Sequence, residues 1–410
     1  MIRRIGVDAL SVDRMAAALR RSGEGFLARS FTREEIAYCR GDPERLAGRW
    51  TAKEAVIKCF DRTPICFPRR RIEVLASAGG APRVSLLGAD SRGAEVEVSI
   101  THHSGMAVAA AVLEMPESVG LLPPPPDLRL PLRPGEAHKG TFGSVTAIAG
   151  SLGLTGAAFL CSNAAARAGA GTVRLLVAET IYPILAAKCI EVMATPVREA
   201  APGALGPSAF DALKGHLETA SACLLGPGLG QARPTWRLIQ RLVPAIPCPL
   251  VVDADGLNAL AAEKRLLRRL GKDRVLTPHP GEMSRLSGLP TSEVQRDRRG
   301  LAGQAARDWQ AVVVLKGAHT IVAGPNGELS EDPHEVPALA TGGTGDVLGG
   351  VIAGLMAQGL DAYRAAVTGV YVHAEAGRRV SGWLGASGLL ASDLLLEVPL
   401  VMKALRTEGY

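Results

Sequence analysis

Residues 341–359 read TGGTGDVLGGVIAGLMAQG, in which a glycine-rich turn runs directly into an apolar helix. Glycines allow successive backbone N–H groups to converge on an anion, and the N-terminus of the following helix adds its positive dipole. Asp346 is unexpected in such a turn, because its negative charge opposes a bound phosphate. Two interpretations follow: Asp346 is a base that acts on a hydroxyl beside the phosphate, or it caps the helix.

Outward from this turn, residues 135–405 alternate between apolar strand-like runs and helical stretches. The runs are SVTAIAG, TVRLLVA, ACLLGPG, CPLVVDADG, RVLTPHPGE and AVVVLKG. Near-continuous apolar strands indicate a sheet covered by helices on both faces, and the repeated β-then-α order predicts a doubly wound, mostly parallel α/β sheet. Polar segments end four of the runs, at the edge where such sheets bind ligands, and they are 226–230, 253–258, 279–282 and 316–320.

The first 114 residues have a different pattern, which predicts a small α+β domain. A short apolar strand is followed by a basic helix-like run and by a second helix over about residues 45–60. Residues 71–87 predict two strands joined by a Gly-Gly turn, and residues 95–114 predict two more. Residues 115–134 contain seven prolines and predict an extended spacer, so the second domain is expected over 135–410.

Composition and charge narrow the classes of protein to which the chain can belong. Its 410 residues suffice for two domains, and 47% of them are hydrophobic. Of the net charge of +6, most lies in the first 114 residues, whose 18 basic and 14 acidic side chains would attract an acidic partner or a phosphate. Without a basic helix carrying interleaved aromatics, nucleic acid is not an expected partner.

The cysteines and the longest uncharged stretch bear on where the protein works. Seven scattered cysteines without a C-x-x-C motif indicate a reduced, cytoplasmic protein. Residues 145–166 carry no charge, but they are rich in Gly, Ser, Thr and Asn, which favours a buried strand, turn and helix over a membrane span. No membrane partner is therefore expected.

Seven segments of the second domain, taken in order, resemble the NAD(P)H-hydrate dehydratases, a branch of the ribokinase-like superfamily. They are HKGTFGSVTAIAGSLGLTGAAFL (138–160), GPGLG (226–230), PLVVDADGLNAL (249–260), TPHPGEMSRL (277–286), VVVLKGAHTIV (312–322), ATGGTGDVLGGVIAGL (340–355) and GASGLLASDL (385–394). The resemblance implies a lyase that uses ADP or ATP to dehydrate the S epimer of NADH or NADPH hydrate. The ring hydroxyl is phosphorylated and the phosphate then leaves, assisted by the ring nitrogen.

The same resemblance assigns roles to individual residues. Asp346 matches the base that contacts the hydrate, and Gly345 belongs to the phosphate cradle. The residues that contact the hydrated dinucleotide are Ala157, Gly228 and His279, and those that hold the nucleotide are Lys316, Gly317, Ala318, His319 and Thr320. His279 can instead order its own loop, and we read Asp253 and Asp255 as strand-end turn residues. The epimerase that often accompanies this activity is expected to be a separate protein.

Four residues of the first domain carry a second pattern. Glu54 and Lys58 lie four residues apart on one helix face, and Asp8 follows the first apolar run. Spacing alone favours a surface pair for Glu54 and Lys58 and a strand-end cap for Asp8, with a shared Mg²⁺ at Asp8 and Glu54 as the alternative. His102 lies in VSITHHSGMAVAAAV, a strand–turn–strand segment.

These segments resemble the holo-acyl-carrier-protein synthases over nearly all of residues 1–114. The resemblance implies a transferase of fatty acid biosynthesis that moves phosphopantetheine from CoA to an acyl carrier protein. Asp8 and Glu54 match its Mg²⁺ ligands, Lys58 a residue near the CoA phosphates, and His102 a residue of the closing strands. Two segments depart from the pattern of that family. Residues 9–12 lack an acidic side chain, and residues 61–71 (DRTPICFPRRR) replace a glycine-rich loop.

Four functions remain open, one of which is a catalytically inactive nucleotide sensor. The chain is a bifunctional dehydratase and transferase, or a dehydratase with a degenerate N-terminal module that oligomerises or binds a carrier protein. The third possibility is a small-molecule kinase in which Asp346 activates the hydroxyl of a sugar or vitamin. Both resemblances imply a homo-oligomer.

Overall fold

The computed structural model describes residues 2–60, 68–77, 79–87, 94–115 and 121–410. The chain forms two units, of which the first is Met1–Val119 with Gly382–Leu384 and the second is Gly120–Ser381 with Gly385–Tyr410. Each unit has its own sheets and its own core of buried apolar side chains. Residues 61–67 of the replaced loop, and residues 116–120 of the proline-rich segment, lie outside the described residues.

The first unit is built on a three-stranded antiparallel sheet in the order β1-β5-β4, with a separate hairpin of β2 and β3. The strands are β1 (Ile2–Ser11), β2 (Ile72–Ala76), β3 (Pro82–Leu86), β4 (Glu95–His103) and β5 (Met106–Met115), and the helices are α1 (Val12–Ser30), α2 (Arg33–Cys39) and α3 (Pro43–Cys59). The expected α+β unit is confirmed. Asp8 lies within β1, opposite Ala109, and so the expectation that it ends the strand is wrong.

Helix α3 organises this unit because it packs on β1, β4 and β5. It begins after Asp42, whose carboxylate accepts hydrogen bonds from the backbone of Glu44 and Arg45. It also carries a buried cation, since Lys53 pairs with Glu35 at 2.6 Å and neither side chain is exposed. A buried pair of this kind fixes the arrangement of α2 and α3, because removing one partner would leave an uncompensated charge.

The second unit is built on a nine-stranded sheet in the order β14-β13-β12-β11-β10-β9-β6-β7-β8. The strands are β6 (Ser144–Ile148), β7 (Thr172–Ala178), β8 (Met193–Val197), β9 (Ala222–Leu225), β10 (Leu250–Val252), β11 (Arg274–Leu276), β12 (Val312–Leu315), β13 (Ile321–Ala323) and β14 (Leu329–Glu331). Strands β6 to β12 are parallel, whereas β13 and β14 add an antiparallel edge. The predicted doubly wound, mostly parallel sheet is confirmed.

The helices of the second unit are α4 (Thr155–Arg167), α5 (Tyr182–Lys188), α6 (Phe210–Leu217), α7 (Arg233–Leu242), α8 (Asp255–Ala261), α9 (Pro280–Ser287), α10 (Thr291–Arg296), α11 (Arg298–Trp309), α12 (Thr344–Ala357), α13 (Ala362–Leu384) and α14 (Leu394–Thr407). Helices alternate with the strands from β6 to β11, three helices (α9 to α11) separate β11 from β12, and three more (α12 to α14) follow β14. Among the helices of the described residues, none has both the length and the apolar character needed to span a bilayer. The six cysteines in the described part of the chain are buried and carry free thiols.

The order of the strands reverses between β6 and β9, which are neighbours in the sheet. From β6 the chain adds β7 and β8 on one side, and from β9 it adds β10, β11 and β12 on the other. Open α/β sheets bind ligands at such a reversal, beyond the carboxyl ends of the strands. Here the loops after the two strands are joined, since Gly150 N donates to Pro227 O and Ser151 Oγ to Gly228 O, both at 2.8 Å.

Residues 121–134 belong to the second unit and do not form a free spacer. Leu128 is fully buried, and the Thr368 hydroxyl bonds both the N–H and the carbonyl of Arg129. The Tyr371 hydroxyl donates to the carbonyl of Leu122. The described part of the proline-rich stretch is therefore packed against α13.

Candidate active site

The glycine-rich turn places Asp346 in the first turn of α12. The helix begins at Thr344, and Gly343, with φ 93°, is its N-cap. The Thr344 hydroxyl donates to the carbonyls of Leu339 (2.8 Å) and Thr341 (3.0 Å), which closes the turn. Because Asp346 is the third residue of the helix and Gly343 occupies the cap, the capping interpretation of Asp346 is wrong.

A largely buried lysine, with 19% of its side chain exposed, lies beside this turn. Lys316 Nζ donates to Asp253 Oδ1 at 2.9 Å and lies 3.7 Å from Glu282 Oε2. It is also 3.3 Å from the point where a side chain on Gly345 would begin, so the missing side chain lets the ammonium reach the turn. Burial acts against the charged form of Lys316, but Asp253 and Glu282 outweigh it and raise its pKa.

Asp253 holds this lysine in place. Its side chain is 1% exposed, and its Oδ1 accepts hydrogen bonds from Lys316 and from the Thr277 hydroxyl (2.7 Å). The backbone of Asp253 does make the expected turn, through a bond from Gly256 N to its carbonyl. Its carboxylate, however, is a buried ion-pair partner, which the interpretation as a turn residue did not include.

The pKa of Asp346 is raised to about 7. Burial is the largest cause, and the negative charge of Asp253 adds to it, whereas Lys316 lowers the pKa. A carboxylate with a pKa near the working pH is suited to accept a proton from a hydroxyl and to release it again. The position and the pKa of Asp346 thus agree with the role of a base.

His279 caps helix α9. Its Nδ1 accepts hydrogen bonds from the backbone N–H of Gly281 (3.0 Å) and Glu282 (3.4 Å), and the Glu282 carboxylate accepts from His279 N. Burial, with Lys316 and Arg285 nearby, lowers the pKa of the imidazole. The neutral ring therefore carries its proton on Nε2, and half of the side chain is exposed at the ligand edge of the sheet. Loop ordering and ligand contact are thus compatible roles.

Ala157 and Gly228 are in contact across the reversal of the sheet. A side chain on Gly228, which has φ 62°, would begin 2.8 Å from Ala157 Cβ and 3.0 Å from the Leu154 carbonyl oxygen. The next loop is tied to this one, because Gly230 N donates to Asp255 Oδ2 at 2.8 Å. The structure therefore brings two of the three predicted dinucleotide contacts, Ala157 and Gly228, to one crevice.

The 316–320 loop joins β12 to β13, and its three central residues are exposed. Arg298 donates to the carbonyl of Ala318, and the Thr320 hydroxyl donates to the carbonyl of Gly317 at 2.8 Å. His319 adopts φ 51°, a left-handed conformation that is strained for a residue with a side chain. Exposed backbone held in a fixed conformation is what a nucleotide contact requires.

In the first unit, the two predicted metal ligands each pair with a basic side chain. Asp8 Oδ1 accepts from Lys58 Nζ at 2.9 Å, and Glu54 Oε1 accepts from Arg69. Each carboxylate is about one fifth exposed and keeps a second oxygen, which is the hard donor that Mg²⁺ prefers. A metal ion at this site would share the carboxylates with Lys58 and Arg69 or displace these cations.

His102 packs against α3 from the neighbouring strand β4. A side chain on Gly48 would begin 2.6 Å from the imidazole Cε1, so the ring lies directly on the helix. Lys58 is on the same helix and also donates to the Val7 carbonyl at 2.7 Å. The predicted residues of the first unit are thus distributed along α3 and on β1 and β4, two of the three strands on which it packs.

Sequence reasoning missed Thr277 and Arg298, and it gave no pairing between Asp253 and Lys316. Asp253 and Lys316 are 63 residues apart, but each directly follows an apolar strand of the same parallel sheet. A charged residue at that position on two strands of one sheet, β10 and β12 on either side of β11, was the signal that would have predicted the pair. Arg298 left no such signal, because it begins a helix on the chain before β12.

The strand order, the glycine turn and the carboxylate beside a buried lysine define a phosphate-handling α/β protein of the ribokinase-like class. A ribokinase-like superfamily protein of Enterococcus faecalis agrees, with 25% identity and a TM-score of 0.59 over 67% of this chain and 91% of that one. A family model described as NAD(P)H-hydrate dehydratase matches residues 145–399. The chain therefore belongs to the NAD(P)H-hydrate dehydratase family.

Individual relatives agree with this assignment. The ADP-dependent (S)-NAD(P)H-hydrate dehydratase of Xanthomonas campestris is 37% identical over 67% of this chain and 93% of that protein. The bifunctional NAD(P)H-hydrate repair enzyme of Moorella thermoacetica is 44% identical over 68% of this chain. The ADP/ATP-dependent enzyme of Bacillus subtilis, co-crystallised with ATP/Mg²⁺, has 31% identity and a TM-score of 0.57 over 67% of this chain and 94% of that one.

The match covers only part of some relatives, and the first unit matches a separate family model. The chain spans about half the length of the bifunctional curated relatives that it matches. Residues 4–112 match a family model described as the 4'-phosphopantetheinyl transferase superfamily. The N-terminal resemblance is therefore confirmed at the level of the superfamily.

Proposed function

We propose that the second unit catalyses the ADP- or ATP-dependent dehydration of (S)-NAD(P)H hydrate to NAD(P)H. The observation that carries the proposal is Asp346, a partly buried carboxylate with a pKa of about 7 in the glycine-rich turn at the start of α12. The relatives that share this fold are described as acting on that substrate with ADP or ATP. The proposal thus combines a base suited to deprotonating a hydroxyl with a family described as dehydratases of a hydrate, a substrate that carries a hydroxyl.

In the proposed reaction Asp346 accepts the proton of the ring hydroxyl while the hydroxyl oxygen forms a bond to the terminal phosphorus of the nucleotide. The bond between that phosphorus and the bridging oxygen breaks, which releases AMP from ADP or ADP from ATP. The phosphorylated oxygen then leaves as inorganic phosphate when its C–O bond breaks, and the ring nitrogen supplies the electron pair. Loss of a ring proton restores the double bond, so hydroxide is never the leaving group.

Charge at the site explains why a metal ion is proposed with the nucleotide. Asp253, Glu282 and Asp346 all act on the single ammonium of Lys316. Added phosphates would leave the site short of positive charge, and Mg²⁺ bound with the nucleotide would supply it. Lys316 and the backbone N–H groups of the turn would then orient the phosphate beside Asp346.

The proposal is tested by mixing the purified chain with (S)-NADH hydrate, Mg²⁺ and either ADP or ATP. Recovery of reduced-nicotinamide absorbance with one of the nucleotides is expected. A dehydratase of known activity on the same hydrate preparation is the control for the substrate. No recovery alongside a working control would refute the proposal, and phosphorylation of a sugar or vitamin hydroxyl by this chain would favour the kinase instead.

For the first unit we propose CoA-dependent transfer of phosphopantetheine to an acyl carrier protein. Support comes from the superfamily match and from Asp8, Glu54, Lys58 and His102, which lie along α3 and its neighbouring strands. Asp8 and Glu54 would hold Mg²⁺ at the CoA phosphates. Incubation with CoA, Mg²⁺ and apo-carrier protein should add the mass of the prosthetic group, and an unchanged carrier protein would favour a degenerate module.

We also propose that the protein is a homo-oligomer. One face of the β1-β5-β4 sheet is covered by α3, and the other leaves apolar side chains exposed, with Ile5 at 74%, Val7 at 52% and both Met106 and Val112 at nearly 40%. A cluster of exposed apolar side chains on one face of a sheet is unusual for a monomer. A second copy of the chain is the occupant that the resemblances imply.

A further inference from the structure

Helix α13 contacts the glycine-rich turn through a buried histidine. His373 Nε2 lies 2.9 Å from the Thr344 carbonyl oxygen, and burial lowers the pKa of the imidazole to about 4. The ring is therefore neutral, and Nε2 must carry its proton because a carbonyl oxygen only accepts. His373 thus holds the first residue of α12, two residues before Asp346.

Two residues further along, α13 makes a second buried contact through Glu375. Its Oε2 lies 3.0 Å from His334 Nε2, and His334 Nδ1 lies 3.1 Å from both carboxylate oxygens of Asp332. Since both ring nitrogens face carboxylates, both carry protons and His334 is an imidazolium. Arg378 and Arg379, from the next turn of α13, also donate to Glu375 and complete its hydrogen bonds.

The 316–320 loop is hydrogen-bonded to the residues at the other end of these contacts, His334 and Asp332. His319 N donates to the His334 carbonyl at 3.0 Å, and His319 Nδ1 lies 3.2 Å from the Asp332 carbonyl oxygen. Asp332 N donates to the Thr320 carbonyl at 2.9 Å. The strained backbone of His319 is therefore held from the side of His334.

We propose that α13 is a common support for the two segments that hold the phosphoryl donor, with Glu375 and His334 positioning the 316–320 loop and His373 positioning the turn at Asp346. Residues two apart on a helix point about 200° from each other, so His373 and Glu375 reach different segments from one rigid element. This inference rests on the proposed dehydratase function.

The test compares E375Q with H373L in the hydrate assay on the full chain. E375Q keeps the shape of the side chain but removes the charge that holds His334. The KM for the nucleotide should rise about tenfold and the KM for the hydrate less than about twofold. H373L loses the bond to Thr344, and its kcat should fall about tenfold, with a smaller change in the nucleotide KM.

A third variant controls for a general weakening of α13. Asp361 caps this helix by accepting a hydrogen bond from Arg364 N at 2.9 Å. It takes no part in the contacts of His373 or Glu375. D361A removes the capping side chain, so it should lower the thermal midpoint of unfolding and leave both KM values unchanged. If E375Q fails to fold, H334Q/E375Q replaces the buried ion pair with two amides that can bond each other, and the same rise in nucleotide KM is expected.

The outcomes separate this inference from the function on which it rests. An inactive wild-type chain refutes the proposed function. An active wild-type chain, with an unchanged nucleotide KM in E375Q or in the double variant, refutes the inference alone. The inference also fails if D361A raises the nucleotide KM as much as E375Q, because the effect would then be that of a loosened helix.

Discussion

Asp346 combines two properties that a single substitution removes together, a proposed proton-accepting role and a destabilising charge. Its carboxylate is partly buried near Asp253, which raises its pKa to about 7, and Lys316 opposes this effect. An ionised Asp346 is therefore useful to the reaction and unfavourable for the folded state. Residues in this situation are typical of functional sites.

The first prediction concerns the reaction. D346N keeps the volume of the side chain but removes the base, so turnover of the hydrate should fall by about 10²–10⁴-fold. Nucleotide affinity, measured by titration calorimetry, should remain within about threefold of wild type, because Lys316 and the 316–320 loop are unchanged. The matched control is D211N on the exposed face of α6. Equal losses in both variants would contradict the role of Asp346.

The second prediction concerns pH. Turnover should decline as pH falls through about 7, since protonation removes the base. Stability depends on pH in the opposite direction. Because folding raises the pKa of Asp346, its carboxylate destabilises the folded state increasingly as the pH rises above its pKa in the unfolded chain, and fully above about pH 7. D346N should thus raise the unfolding midpoint more at pH 8 than at pH 4. If D346N raised the unfolding midpoint more at pH 4 than at pH 8, the ionised carboxylate of Asp346 would not be destabilising the folded state.

Some of these residues were predictable from the sequence and others were not. Asp346 and Lys316 each stand at the end of a recognisable segment, a glycine turn and an apolar run. His334, His373 and Glu375 stand in no such pattern, because they matter only through contacts between segments more than 25 residues apart. The pairing of Lys53 with Glu35 was likewise invisible, since an amphipathic helix gives no sign that one of its lysines is buried.

At the scale of elements, the loops after β6 and β9 form the crevice of the reversed sheet. Apolar runs predicted β6, β7 and β9 to β12, and their order along the chain predicted parallel pairing. Strand β8 was missed because MATPV contains a proline and little apolar sequence, and β13 and β14 because three residues carry no periodicity. Elements that depend on a neighbouring strand for their conformation cannot be recognised from their own sequence.

The third prediction tests the crevice. G228A should raise the KM for the hydrate about tenfold, because the added methyl group would overlap Ala157 Cβ at 2.8 Å and push the two loops apart. The control is G271A, which adopts a similar left-handed φ but meets no atom within 4 Å. Both variants should lose about 1–2 kcal/mol of stability from backbone strain. Equal KM values in the two variants would remove Gly228 from the substrate site.

At the scale of the whole molecule, two units are proposed to carry two separate chemistries. Most of the net positive charge lies in the first 114 residues, where CoA and an acidic carrier protein are proposed to bind. The composition shift at the proline-rich segment predicted two domains, but it did not predict that residues 121–134 would pack on α13. Prolines favour an extended chain, and an extended chain is equally able to lie along a surface.

The fourth prediction concerns assembly. I5K/V7K places two charges on the exposed face of the β1-β5-β4 sheet, and the mass measured by light scattering should fall from an oligomer to one chain. I190K is the control, because Ile190 is 89% exposed in the second unit and lies outside that face. A wild-type protein that is already monomeric at micromolar concentration would contradict the proposed oligomer.

The central claim is that the second unit removes the hydroxyl of the hydrate by phosphorylating it, with Asp346 as the base. The most direct measurement follows (S)-NADH hydrate labelled with ¹⁸O at that hydroxyl, in the presence of Mg²⁺ and ADP or ATP. We predict that reduced-nicotinamide absorbance returns and that the released inorganic phosphate carries the label with the wild-type chain, and that neither occurs with D346N. Label recovered in water, or no return of absorbance with either nucleotide, would contradict the account.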